Sequence, residues 1–216
     1  MFGNLVNLIY PSNCLLCKSS SSNKSLCDLC KERWQPTPRK LSNFDFPAYA
    51  AIKYDSAAMK IVLLAKEEGI RSAQELLKTA LLKSIRSLIR NTTEEIWIVP
   101  IPTSEKPYRK RGLDPILELA KQICREARRA DENLICKSIL QVRRKVRDQT
   151  GLNNLERLSN LAGAFQVKSD LKESPPIIVI DDVVATGSTL REAVRALKER
   201  NLTVIGGASA CSTFRH

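Results

Sequence analysis

Histidine is nearly missing. The single one, His216, is the last of 216 residues, where a frayed end is the better expectation than a general base. With it goes any Ser–His–Asp or Cys–His catalytic set. No stretch approaches the roughly 20 apolar residues of a membrane-spanning helix, so no membrane insertion is expected. The nucleotide loops G-x-x-x-x-G-K-[ST] and G-x-G-x-x-G are both absent. "MFGNLVNLIYPSNC" carries neither a basic region nor a long apolar core, so no secretory signal is read. That points to the cytoplasm, where thiols stay reduced. There is no internal repeat.

A hydrophobic share of 43% and a charged share of 27% are ordinary for a globular protein. The length suits one α/β domain with a small appendage. The formal charge of +12 is not ordinary. It calls for a polyanionic partner such as nucleic acid, or for a phosphate-rich ligand.

Residues 1–40 read as a separate unit and linker, with a polar run "KSSSSNKS" and a closing "QPTPRK". Residues 41–216 read as the main domain. There "AYAAIKY" is a short strand, and "SAAMKIVLLAKEEG" and "SAQELLKTALLKSIRSLIR" show helical spacing. Ser72 is the expected N-cap of the second helix, with Glu75 completing a capping box. "EIWIVPIP" and "PPIIVIDD" are buried strands, and "LTVIGGASAC" is another. "DPILELAKQICREARR" is a helix with Asp114 as N-cap and Pro115 at its first position. The alternation predicts an α/β fold with a mostly parallel sheet flanked by helices.

The informative stretch is "PIIVIDDVVATGSTLREAV". Asp181 and Asp182 follow an aliphatic strand, and a small, hydroxyl-rich loop opens a helix near Ser188. Ligands of open parallel sheets sit beyond the carboxyl ends of the strands. A loop whose N–H groups converge on a helix start favours a phosphate monoester. Gly187 permits close approach of the backbone, and Thr186, Ser188 and Thr189 add hydroxyl donors. The two carboxylates can accept from a ribose's 2′- and 3′-hydroxyls or help hold Mg²⁺. A capping Asp before a Ser/Thr-rich turn is the plain alternative, and it would win for the acid pair alone.

Cys14-x-x-Cys17 and Cys27-x-x-Cys30 form two chelating pairs, suited to a tetrahedral, structural Zn²⁺ site in a compact knuckle. A segment this small needs the metal to fold. Disulfides are disfavoured by the compartment, and a redox role by the doubling of the motif outside any βαβ setting. Cys124, Cys136 and Cys211 have apolar surroundings and read as core residues.

Two basic runs follow strands or lie in loops: "SEKPYRKRG", with Lys106, Arg109, Lys110 and Arg111, and "QVRRKVRDQTGL", with Arg143, Arg144, Lys145 and Arg147. Solvated charge is the bland reading. Arginine forks on loops also match a pyrophosphate group. Tyr108 among them could stack on a base.

"VIDDVVATGSTL" resembles the phosphoribosyl pyrophosphate signature of type I phosphoribosyltransferases. That resemblance implies ribose contacts by Asp181 and Asp182. It assigns the 5-phosphate to Ala185, Thr186, Gly187, Ser188 and Thr189, and brings Mg²⁺ in with the donor. "YPSNCLLCKSS…LCDLC", "MKIVLLAKEEG", "VPIPTSEKPYRKRG", "RDQTGLNNLERLSNLAGAF" and "VIDDVVATGSTL" together resemble, in order, the ComF-type competence proteins. In that match Lys66 falls in a lysine–glycine block, Arg111 and Gly112 in an Arg–Gly pair, and Gln149, Gly151, Leu152 and Arg157 in a Gln-x-Gly-Leu…Arg block. Leu113, Asp114 and Pro115 stand where the family reads Phe-Asn-Gln. The resemblance implies a role in natural transformation: DNA uptake, handling of the incoming single strand, and contact with uptake machinery. It leans toward phosphoribosyl transfer while allowing a protein that only binds the donor. A purine or pyrimidine salvage phosphoribosyltransferase is the alternative, and neither the knuckle nor the charge suits it.

Overall fold

The computed structural model describes residues 12–21, 25–89, 94–102, 114–143, 162–168, 171 and 173–213. In chain order, β1 (Ser12–Asn13) and β2 (Ser20–Ser21) are followed by helix α1 (Asp28–Arg33), β3 (Arg39–Lys40) and β4 (Ala48–Lys53). Next come α2 (Ser56–Lys66), α3 (Arg71–Arg86), β5 (Ile96–Pro100), α4 (Pro115–Arg129) and β6 (Leu134–Cys136). The remainder is β7 (Leu140–Val142), β8 (Phe165–Val167), β9 (Ile177–Val184), α5 (Ser188–Lys198) and β10 (Val204–Ser212).

Six strands form one sheet in the order β3-β4-β10-β9-β5-β6. From β4 to β6 all neighbours are parallel, and only the two-residue edge strand β3 runs antiparallel. The mostly parallel, helix-flanked sheet expected from the sequence is therefore the fold. Both faces are covered, so the inner strands are aliphatic on both sides. Along β9, Ile178 and Ile180 face the layer built by α2, α3 and α4, whereas Ile177 and Val179 face α5 and the β7–β8 ribbon. β5 repeats the alternation with Ile96 and Ile98 on one side, Trp97 and Val99 on the other.

Local chemistry explains the helix starts. Asp55 caps α2, its Oδ1 accepting from the Ala57 and Ala58 N–H groups at 2.9 and 3.0 Å. Asp114 caps α4 as expected, accepting from Ile116 N at 3.1 Å with Pro115 in the first turn. The start of α3 differs from expectation. Ile70, not Ser72, is the N-cap, with no side-chain cap hydrogen bond. Its carbonyl already accepts from Ala73 and Gln74, and its side chain packs on the core, so burial of Ile70 outweighs the cap that Ser72 offers. Glu75 pairs instead with Lys78 at 2.5 Å.

β10 lies next to β9 and carries adjacent glycines where two layers close in. A methyl at Gly206 would stand 2.6 Å from the Pro47 carbonyl and from Leu88, and one at Gly207 2.7 Å from Leu190 of α5. The cysteine-bearing segment is not set apart from this body. Cys14, Leu26, Cys30 and Trp34 are buried in the same cluster as α2, α3 and α4. The "QPTP" stretch is also tied down: Thr37 N donates to Ala51 O at 2.9 Å, and Lys83 Nζ to Pro36 O at 3.1 Å. Among the described residues no helix is long and apolar enough to cross a membrane.

Candidate functional site

The acid pair sits within a strand, not after one. β9 continues through Asp181 and Asp182 to Val184 because β10 keeps pairing with it, Asp181 opposite Ser209 and Val184 opposite Ser212. On the other side β5 ends with Pro100 opposite Ile180. The expected strand end at Ile180 is thus the end of a neighbour. The carboxylates lie where the sheet has lost one partner and a cleft begins.

Asp182 continues the alternation of Ile178 and Ile180 toward α2, where Lys66 Nζ forms an ion pair with its Oδ2. Asp182 is buried and Lys66 partly exposed. The two neighbouring acids cannot ionise alike. Burial, then the charge of Asp182, drives the Asp181 carboxyl well above the usual range. Burial also opposes ionisation of Asp182, but the Lys66 ammonium outweighs it and holds that carboxyl below its usual value. The pair therefore presents one carboxylate held ionised against a cation beside one carboxyl that binds a proton more readily.

After β9 the chain turns through Ala185 and Thr186 to Gly187, which caps α5 in the left-handed conformation, φ 77°. Gly187 has no side chain to cap α5, and Ser188 N makes only a long hydrogen bond, 3.4 Å, to Thr186 Oγ1, so the start of the helix can turn its N–H groups to an anion. Thr186 Oγ1 and Ser188 Oγ lie 2.8 Å apart and face the same turn. The loop is held from outside by the segment between β3 and β4. Arg191, one turn into α5, stacks on the Phe44 ring with its guanidinium carbon 4.5 Å from the centroid. It donates to the Thr186 carbonyl at 3.0 Å and to the Asn43 carbonyl. Phe44 itself lies where a Gly187 side chain would be.

Beside Asp182 opens a cavity of about 400 Å³, walled by the end of α2, the start of α3 and the first turns of α4. Lys66, Glu67, Glu68, Gln74 and Glu118 give it an acidic, amide-bearing rim.

Of the residues singled out in the sequence, the structure brings together Asp181, Asp182, Ala185, Thr186, Gly187, Ser188 and Thr189. Arg109, Arg111 and Arg147 lie outside the described residues, as do Lys106, Tyr108, Gln149, Gly151, Leu152, Arg157 and His216. Sequence reasoning missed Phe44, Asn43 and Arg191 as holders of the loop. It placed Lys66 in a block without seeing that it faces Asp182. No spacing rule joins residues 43 and 191.

The second site is the cysteine quartet. The four Sγ atoms of Cys14, Cys17, Cys27 and Cys30 all lie within 4.8 Å of one another, and those of Cys17 and Cys27 are 3.6 Å apart. A tetrahedral Zn–S₄ centre with bonds near 2.3 Å needs sulfurs about 3.8 Å apart, so the cluster can hold a metal ion such as zinc. The thiols also behave as a ligand set. Burial raises Cys14, but N–H donation from the Cys17, Cys27 and Leu16 backbone brings it down to about 6. Burial and the three neighbouring sulfurs push Cys30 up to about 12. One thiolate forms readily and the last only against repulsion, which a cation would remove. Cys124, Cys136 and Cys211 are raised by burial, in keeping with a core role.

The sequence pattern of the phosphoribosyl transferase domain matches residues 72–214, which takes in β5, α4, β9, the phosphate loop, α5 and β10. The chain belongs to the phosphoribosyl transferase domain family. A comparison with curated proteins finds no match. Among solved structures, orotate phosphoribosyltransferase from Aeropyrum pernix is similar over 85% of this chain and 91% of its own, at 15% identity and a TM-score of 0.37. The phosphoribosyl transferase match begins after α2, so Lys66 and the cysteine quartet lie outside it.

Proposed function

We propose that this chain is a ComF-type protein that binds phosphoribosyl pyrophosphate and serves in DNA uptake. The observation that carries the donor reading is the joint geometry of the acid pair and the phosphate loop, on one strand–turn–helix unit. The 5-phosphate meets the N–H groups at the start of α5 and the hydroxyls of Thr186, Ser188 and Thr189. The 2′- and 3′-hydroxyls meet Asp181 and Asp182. The Asp181 carboxyl, raised by burial and by the charge of Asp182, binds a proton more readily than Asp182, and a protonated carboxyl beside a carboxylate offers a diol both a donor and an acceptor. Transfer would proceed by loss of pyrophosphate from C1 through a sugar with cationic character, and the ionised Asp182 places fixed negative charge near it. Pyrophosphate would meet the basic residues Arg109, Arg111 and Arg147. The DNA-handling part rests on the order of the ComF-like blocks and on the charge of +12, with single-stranded DNA and uptake proteins as partners. Zinc in the quartet would be structural, since four thiolates leave no open position.

Calorimetric titration with phosphoribosyl pyrophosphate and Mg²⁺ tests the reading. Saturable binding by the parent, lost in Asp181→Asn/Asp182→Asn, is expected. Absence of binding by the parent overturns it.

A further inference from the structure

A second cavity, of about 350 Å³, opens between the cysteine segment and the edge of the sheet, and none of the residues assigned above lines it. Three separate elements bring cations to its wall: Arg33 ends α1, Arg39 begins β3 and Lys53 ends β4. All three are exposed, and none makes an ion pair or side-chain hydrogen bond among the described residues. The one acid on the wall, Asp55, is committed to capping α2. Three like charges converging on one concavity repel one another, and a bound anion removes that cost. Gln35 and Thr37 supply neutral polar groups on the same wall. Trp34, also on it, is buried with its indole N–H unpartnered among the described residues.

Solvated charge would explain one or two exposed basic residues on a helix face. It does not explain cations from three elements facing one cavity whose one wall carboxylate is engaged at a helix start. We propose that this cavity is an anion site for a ligand carrying several phosphate groups, either a free polyphosphate or nucleotide, or the backbone of a nucleic-acid strand. The site is distinct from the phosphoribosyl cradle and does not depend on it. Lys53 and Val184 both pair with Ser212 of β10, so the cavity wall and the end of the acid-bearing strand are two strands apart, or about 10 Å. A strand lying in the cavity would pass beside the cradle.

The test uses the full-length, zinc-loaded protein, with tripolyphosphate and a short oligothymidylate as probes. Arg33→Gln/Arg39→Gln/Lys53→Gln is compared with Arg125→Gln/Arg128→Gln/Arg129→Gln, which removes the same charge from exposed positions of α4. The cavity variant should bind about tenfold more weakly or worse, and the α4 variant within about twofold of the parent. For oligothymidylate, the slope of log K against log salt should fall by about 2 in the cavity variant. Tripolyphosphate bound alone assigns a free polyphosphate or nucleotide, and both probes competing assigns a strand. Asp181→Asn/Asp182→Asn should keep tripolyphosphate binding, so failure of the cradle and failure of the cavity read separately. Equal weakening by both triple variants, or no binding of either probe by the parent, overturns the proposal.

Discussion

Replacing Gly187 by alanine probes the phosphate loop most directly. At φ 77° an alanine sits in the left-handed region, which costs about 1–2 kcal/mol for a residue with a Cβ. The new methyl would also stand 2.5 and 2.9 Å from Cζ and Cε1 of Phe44. The ring must move, and overpacking of this kind costs a further ~1–3 kcal/mol. Movement is not free, because Phe44 lies under the Arg191 guanidinium, and Arg191 holds the Thr186 carbonyl. The total is about 2–5 kcal/mol, to be read by thermal or denaturant unfolding and, for the loop, by calorimetric binding of phosphoribosyl pyrophosphate. A double-mutant cycle separates the two causes. In a Phe44→Ala background the backbone cost stays and the clash goes, so Gly187→Ala should cost ~1–3 kcal/mol less there than in the parent. Equal cost in both backgrounds, or donor binding at full strength in Gly187→Ala, would refute this account.

The acid pair should show opposite stability effects. The folded state keeps the Asp181 proton to higher pH than the unfolded chain does, so its contribution is full in acid and falls as pH rises through that gap. Asp181→Asn should therefore raise the melting temperature at neutral pH, with the difference closing toward acid, while donor binding is lost. Asp182 works the other way: its carboxyl is held low, so its contribution is present at neutral pH and lost on acidification. Asp182→Asn should cost about 2 kcal/mol at neutral pH, below the usual figure for a broken buried pair because Lys66 is partly solvated. Chelation of the metal should lower the main unfolding transition, not a separate small one, because Cys14 and Cys30 share the core of α2 and α3. Calorimetry with and without chelator reads this. Asp114→Ala removes the cap of α4 and should cost about 1 kcal/mol in denaturant unfolding.

Features set by near neighbours in the chain were legible in the sequence. The Asp114 cap followed by Pro115, the β9–loop–α5 unit and the two C-x-x-C turns each depend on residues within a few positions. Features set by distant packing were not. Whether β9 ends at Ile180 depends on where β5 and β10 stop, and only β5 stops there. The Ser72 box failed because Ile70 gains more by packing on the core than a hydroxyl gains at a helix start. The clamp on the phosphate loop joins Asn43 to Arg191 across 148 positions, and nothing in either local stretch marks it. The apparent independence of the cysteine segment came from its composition. Its burial against α2 and α3 is a tertiary fact.

The bare Cα of Gly207 has a consequence for geometry as well as for packing. Leu190, in the first turn of α5, rests on that bare position, with its Cδ2 2.7 Å from where a methyl would be. α5 carries the phosphate loop at its start, so the height of that loop above the sheet is set from beneath by a missing side chain on the next strand. A methyl at Gly207 would act as a shim. It would lift the loop relative to Asp181 and Asp182, changing the spacing between the phosphate cradle and the acid pair while every ligand-facing residue stayed in place.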